Sequence, residues 1–140
     1  MNEPLLLRVP NSFDAIPPAS EAISQWLDNR EVPPAACYLA NLAIEELITN
    51  TIKYGYDDAA VHEIEIRLSL NEEHLVLTVI DDGHAFNPLE APEPETTLPI
   101  EDRPVGGLGI FLLRKLADRM TYERKDGCNQ VTIVKRTAGA

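Results

Sequence analysis

Residues 42–54, LAIEELITNTIKY, decide how this chain is read. Leu42, Ala43, Leu47, Ile48, Thr51 and Ile52 wrap most of a helix in apolar or small side chains, while Glu46, Asn50 and Lys53 fall at i, i+4 and i+7. Helical geometry sets those three on one stripe, so a carboxylate, a carboxamide and an ammonium group face the same small volume. A helix with so narrow a polar face is expected to pack into a core, with its stripe along the border of a cleft.

The flanking sequence frames that helix. Pro33-Pro34 opens it and Gly55 caps its end. Upstream, residues 4–9 read as a short edge strand ended by Pro10, and Pro17-Pro18-Ala19-Ser20 starts a helix that reaches Asn29 with Ile23, Trp26 and Leu27 inward. Downstream, His62 to Leu70 alternates apolar and polar residues as a half-buried strand requires, and Asn71-Glu72-Glu73 turns it into a second strand, Leu75 to Ile80. Those two are expected to form an antiparallel hairpin. From Gly83 to Pro104 there are five prolines and few large apolar residues, which predicts a loop. Irregular stretches of about 20 residues inside a compact domain are often lids or binding loops. Gly109 to Arg119 predicts a helix with Ile110, Leu113, Leu116 and Ala117 inward, and Met120–Lys125 with Asn129–Arg136 a closing hairpin turned at Asp126-Gly127. The order of elements lacks the repeated βαβ units of a doubly wound fold. It predicts an α+β, two-layer α/β sandwich: a mixed, mostly antiparallel sheet covered on one face by helices, forming a single domain over residues 1–140.

Composition narrows the function. The 140 residues carry 23 acidic and 12 basic side chains, a net charge of −11. That balance disfavours direct nucleic-acid binding, which draws on phosphate contacts. It also means that an anionic nucleotide would have to be held by backbone N–H groups and a metal ion. No apolar run is long enough for a membrane span, and MNEPLLLRVP lacks the features of a signal peptide, so a cytoplasmic setting is expected. Cys37 and Cys128 stand outside any CxxC or Cys/His cluster, and His62, His74 and His84 show no metal-ligand spacing, each reading as a surface or loop histidine.

Three pieces carry chemistry. In the stripe, Asn50 offers Mg2+ a hard oxygen donor, or else caps a carbonyl or faces water. Glu46 can accept a proton from an attacking hydroxyl or water in phosphoryl transfer, or is an ordinary surface glutamate. Lys53 steadies a phosphate or pairs with Glu46 or Asp57. At the end of the strand VLTVI, Asp81 can accept a hydrogen bond from the 6-amino group of adenine, Gly83 lets the backbone pass close to the ring, and Asp82 turns toward solvent. Finally, Gly106-Gly107-Leu108-Gly109 opens a helix whose N–H groups and dipole can meet an anion, with a flexible hinge as the plainer alternative. It is neither a P-loop nor a dinucleotide GxGxxG. In this order the pieces describe a pocket for Mg-nucleotide.

The segments EELITNTIKYGY (45–56), VIDDGHAFNPLEAPEP (79–94), GGLGIFLLRKLAD (106–118) and YERKDGCNQVTIVKR (122–136) resemble the ATP-binding fold shared by histidine kinases, Hsp90 chaperones, type II topoisomerases and mismatch-repair proteins. The chain most resembles the small stand-alone branch, the bacterial anti-sigma-factor serine/threonine kinases. That resemblance implies Asn50 as the Mg2+ ligand, Glu46 as general base, Asp81 and Gly83 at adenine, Gly107 and Gly109 at the phosphates, and residues 87–105 as the ATP lid. It also implies a STAS-domain anti-anti-sigma factor as substrate, a sigma factor as second partner, and a homodimer. Two positions depart from the family's boxes: Ala85 stands where DxGxG has its second glycine, and Val105 where GxGxG has its first. Beside the kinase stand two other readings, a nucleotide-gated binding module that transfers nothing and an ATPase clamp that would need further domains. Glu46 argues against the first of these, since a pure binder needs no base there.

Overall fold

The alternation in residues 63–81 organises the molecule, because Ile64, Ile66 and Leu68 before the turn and Leu75, Leu77, Val79 and Asp81 after it are turned to one buried face. In the computed structural model, which describes residues 3–90 and 108–137, β2 (Glu63–Leu70) and β3 (His74–Asp81) pair as an antiparallel hairpin with Ile66 opposite Val79 and Leu68 opposite Leu77. Asn71 shapes the turn between them, its Oδ1 accepting from the N–H groups of Glu73 and His74. β1 (Leu5–Pro10) adds on one side and β5 (Cys128–Arg136) on the other, with β4 (Arg119–Lys125) beyond β5, giving the five-stranded order β1-β2-β3-β5-β4. Every pairing in this sheet is antiparallel. The β4–β5 turn falls at Asp126-Gly127, both with positive φ (53° and 76°), as a two-residue hairpin loop that follows the sheet's twist requires.

Three helices bury the sheet's apolar face: α1 (Ile16–Asn29), α2 (Pro34–Tyr54) and α3 (Leu108–Leu116). Ile23 and Leu27 of α1, Leu39, Ile44 and Ile48 of α2, and Leu113 of α3 meet Ile64, Ile66, Leu68, Leu77 and Ile133 in one core. Full burial of each such side chain contributes roughly 1.5–3 kcal/mol. On the opposite face, Arg8 and Arg67 flank Glu65 in an exposed ion-paired row.

The structure moves several boundaries. Pro10 belongs to β1, as its last residue on an edge strand, where the missing N–H costs no ladder bond. The third helix stops at Leu116 rather than Arg119: Ala117 still donates to the Leu113 carbonyl, but Asp118 gives its N–H to Val134 O and Arg119 enters β4 opposite Val134. Leu116 is therefore 37% exposed instead of inward. Within the expected loop, Pro88–Glu90 form a 3-10 turn with Pro88 buried. The remainder of the expected lid, Val105, and the glycines Gly106 and Gly107 lie outside the described residues.

Candidate active site

Asp81 is the last residue of β3 and occupies the inward position that Leu75, Leu77 and Val79 fill further back. It is buried, 8% exposed, and its carboxylate is almost fully occupied. Oδ1 accepts from Gly83 N–H and from Asn129 Nδ2, each at 2.9 Å. Oδ2 has one longer partner, the Thr51 hydroxyl of α2 at 3.3 Å, which leaves it acceptor capacity. A buried carboxylate with a partly free oxygen at the end of a central strand fits an incoming N–H donor such as an amino group on a purine.

Asn129 explains how that geometry is held. It lies opposite Asp81 in the β3–β5 register and is 4% exposed. Its amide donates to Asp81 Oδ1 and to His84 O at 2.8 Å, and its oxygen accepts from the Tyr122 hydroxyl at 2.6 Å and from Phe86 N–H at 3.2 Å. One side chain thus joins β5, β4, Asp81 and both ends of the short segment leaving β3. Sequence reasoning missed this residue, as it did Thr51, taken for part of the apolar surface of α2. The signal was present: Val131 and Ile133 point inward, so alternation places a polar Asn129 in the core.

The glycines act by close approach. A Cβ at Gly83 would lie 2.8 Å from the Gly55 carbonyl oxygen, and that oxygen accepts from His84 N–H at 2.8 Å. Gly55 does cap α2, but in the right-handed region (φ −81°), and a Cβ there would lie 2.5 Å from Thr51 O. The end of α2 and the turn after β3 therefore meet backbone to backbone. Arg124 of β4 secures the same turn, its Nη1 donating to Gly83 O at 2.8 Å.

Glu46 lies at the opposite end of this stretch of α2, half-buried against the first turn of α3, where a Cβ at Gly109 would fall inside its carboxylate. Burial, helped by the neighbouring charge of Glu45, pushes the Glu46 pKa above the usual 4.5, with Lys53 opposing. Asn50 is half-buried one turn along, between Glu46 and the Thr51–Asp81 contact, while Lys53 is exposed and Leu108, at the head of α3, is 56% exposed. Asp82 faces outward as expected, yet it is engaged by the Tyr56 hydroxyl at 2.8 Å and by the His62 ring. Along α2, Gly109 meets Glu46, Asp81 meets Thr51 and Gly83 meets Gly55. Among the described residues no group of three or more His, Cys, Asp or Glu side chains is assembled for a metal; Mg2+ is commonly held by one or two protein ligands together with phosphates and water.

The family described as histidine kinase-like ATPase domain matches residues 9–135. The serine/threonine-protein kinase BtrW of Bordetella bronchiseptica is 25% identical over 101 residues, covering 72% of this chain and 71% of its own length. The serine-protein kinase RsbW of Oceanobacillus iheyensis is 32% identical over 91 residues, covering 61% of this chain and 57% of its own. The anti-sigma F factor of Clostridium beijerinckii is 26% identical over 96 residues, covering 67% and 66%. The crystal structure of the RsbU and RsbW domains of a Mycobacterium tuberculosis protein superposes with a TM-score of 0.67 at 15% identity, over 99% of this chain and 34% of that one, a likeness of fold. No helix among the described residues is long and apolar enough to cross a membrane.

Proposed function

Because this chain belongs to the histidine kinase-like ATPase domain family, we propose that it is an ATP-dependent serine/threonine protein kinase and anti-sigma factor, whose substrate is a STAS-domain anti-anti-sigma partner. The observation that carries the reading is the Glu46 carboxylate, held with a raised pKa against the first turn of α3, on the helix whose Thr51 hydroxyl reaches the buried Asp81. A base poised where phosphates would meet a helix N-terminus has a task in transfer and none in binding alone.

In this reading Asp81 Oδ2 accepts from the adenine 6-amino group, and Gly83 keeps the backbone low enough for the ring to pass. The N–H groups at the head of α3, at Leu108 and Gly109, face the phosphates, with Gly106, Gly107 and the lid at 87–105 completing the enclosure. Asn50 would hold Mg2+ through its side-chain oxygen, and Lys53 supplies a cation at the rim. When bound, Mg2+ offsets charge on the phosphate oxygens. The partner's hydroxyl oxygen bonds to the γ-phosphorus as the bond to the ADP oxygen breaks, and Glu46 takes the hydroxyl proton.

The test is transfer from γ-labelled ATP to a STAS-domain partner by wild type and Glu46→Gln. Loss of a general base costs about 10²–10⁴-fold in rate, so Glu46→Gln is expected to bind ATP and label the partner at least ~100-fold more slowly. Equal labelling by both removes Glu46 from the mechanism. Absence of labelling by wild type, with ATP bound, leaves a nucleotide-gated binding module.

A further inference from the structure

Residues 55–62 connect α2 to β2 without regular structure, yet they hold a close-set polar cluster around one histidine. The His62 backbone is fixed on both sides by Asn11: its N–H donates to Asn11 Oδ1 and its carbonyl accepts from Asn11 N–H, each at 2.9 Å. The ring lies flat on Tyr56, centroids 3.9 Å apart and planes within 10°. Its Nε2 is 2.8 Å from Asp58 Oδ1 and its Nδ1 3.3 Å from Asp82 Oδ2, while the Tyr56 hydroxyl donates to the other oxygen of Asp82 at 2.8 Å. A neutral imidazole carries one N–H, so between two carboxylates one contact would oppose lone pair to lone pair. Only the imidazolium offers a donor to each.

Asp82 directly follows Asp81, and its neighbour Gly83 donates to Asp81 Oδ1, so a grip on Asp82 is a grip on the turn that sets the buried carboxylate. We propose that His62 is a positioning residue for the nucleotide site: as an imidazolium it ties the 55–62 connection and the end of β1 to the turn after β3, and nucleotide affinity falls when the proton is lost. This rests on the ATP reading of Asp81.

The charges around the ring agree. The hydrogen bond to Asp58 raises the His62 pKa from 6.5, against the effect of burial and with help from Asp82. The same ring holds the Asp58 carboxyl below its usual range. Burial alone would push Asp82 up, but the Tyr56 hydroxyl and His62 together bring it down. Burial and then Asp82 push the Tyr56 hydroxyl well up, so it stays a donor throughout. The other ionisable groups lining the adjoining cavity of about 370 Å3 are Asp57 and His84, 3.0 Å apart, and Arg124, which donates to Gly83 O. With its folded pKa raised, the His62 clamp is complete below pH 6.5 and released as pH climbs through the raised value.

Two measurements decide it: ring-proton NMR titration of the three histidines, and Mg-ATP affinity by calorimetry from pH 6 upward, for wild type, His62→Gln and His62→Arg. His62 is expected to titrate above pH 6.5, and wild-type affinity to fall about 5-fold across that titration, the lower end of typical coupling between sites. His62→Gln should bind weakly at every pH. His62→Arg, whose charge is permanent, should bind tightly at every pH and so exclude a merely structural role for the ring. Parallel pH profiles for wild type and His62→Gln, or a His62 that titrates at or below pH 6.5, overturn the proposal while leaving the ATP reading intact. A wild type that binds no ATP at any pH overturns both.

Discussion

At the scale of single residues the site is a matter of which oxygen is free. Asp81 Oδ1 is held by Gly83 and Asn129 and Oδ2 by Thr51 alone, so in the proposed reading Oδ2 is the atom that would choose a base. Asp81→Asn replaces one of its acceptors with a donor and should weaken ATP binding by roughly 10–100-fold, the worth of a hydrogen bond to a charged group; calorimetry against GTP as a control checks whether discrimination goes with it. Asn129→Ala strips partners from Asp81, His84, Phe86 and Tyr122 together. Each buried group left unpaired costs about 1–3 kcal/mol, so a clear drop in the denaturant midpoint is expected alongside weaker ATP binding. Glu46 supplies a pH test. Its raised pKa means the base form is lost at higher pH than an ordinary glutamate would lose it, so transfer should decline on the acid side above pH 4.5, and Glu46→Gln should flatten that limb. Asp81 and Glu46 were legible in the sequence because each interrupts an apolar pattern at a defined place. Thr51 and Asn129 were not read, since a small hydroxyl passes for a core residue and an asparagine beside a turn passes for turn chemistry.

Among the elements, the meeting of α2 with the first turn of α3 matters most. A Cβ at Gly109 would displace the far end of Glu46, a flexible group that can swing aside without moving backbone. Gly109→Ala should therefore leave the fold intact, since alanine is about 1 kcal/mol better than glycine within a helix, and still cut phosphotransfer by displacing the base. A melting temperature held or raised with transfer lost is the expected pair of results; unaltered transfer would detach Glu46 from the reaction. The strands were legible because period-two alternation is a local signal that burial enforces along β2, β3 and β5. The end of α3 was not. Leu116 and Ala117 continue the helical spacing, and only pairing with Val134, distant in sequence, draws Asp118 and Arg119 out of it. The inward role given to Leu116 failed for the same reason.

For the molecule as a whole, two quantities set behaviour: one core and a strong negative charge. Ile66 sits fully buried where the sheet meets the helices. Ile66→Ala should cost about 2–5 kcal/mol, read as a lower denaturant midpoint at unchanged slope. The net charge of −11 repels an anionic nucleotide at long range. Since ions screen that repulsion within about 10 Å at 0.1 M salt, association of Mg-ATP should quicken as salt is raised from a low level; stopped-flow measurement showing the opposite trend would point to local attraction outweighing the global field.

The order β1-β2-β3-β5-β4 has a last consequence. β3 finds its partners in β2 and β5, both among the described residues, while the chain runs on from Glu90 to Leu108 before α3. Doubling the length of such a connection costs only about 0.6 kcal/mol in closure entropy. A longer connection there is therefore expected to leave the denaturant midpoint almost where it is. The sheet is a frame that tolerates slack, so chains with this strand order can differ in the length of that connection and still share one scaffold.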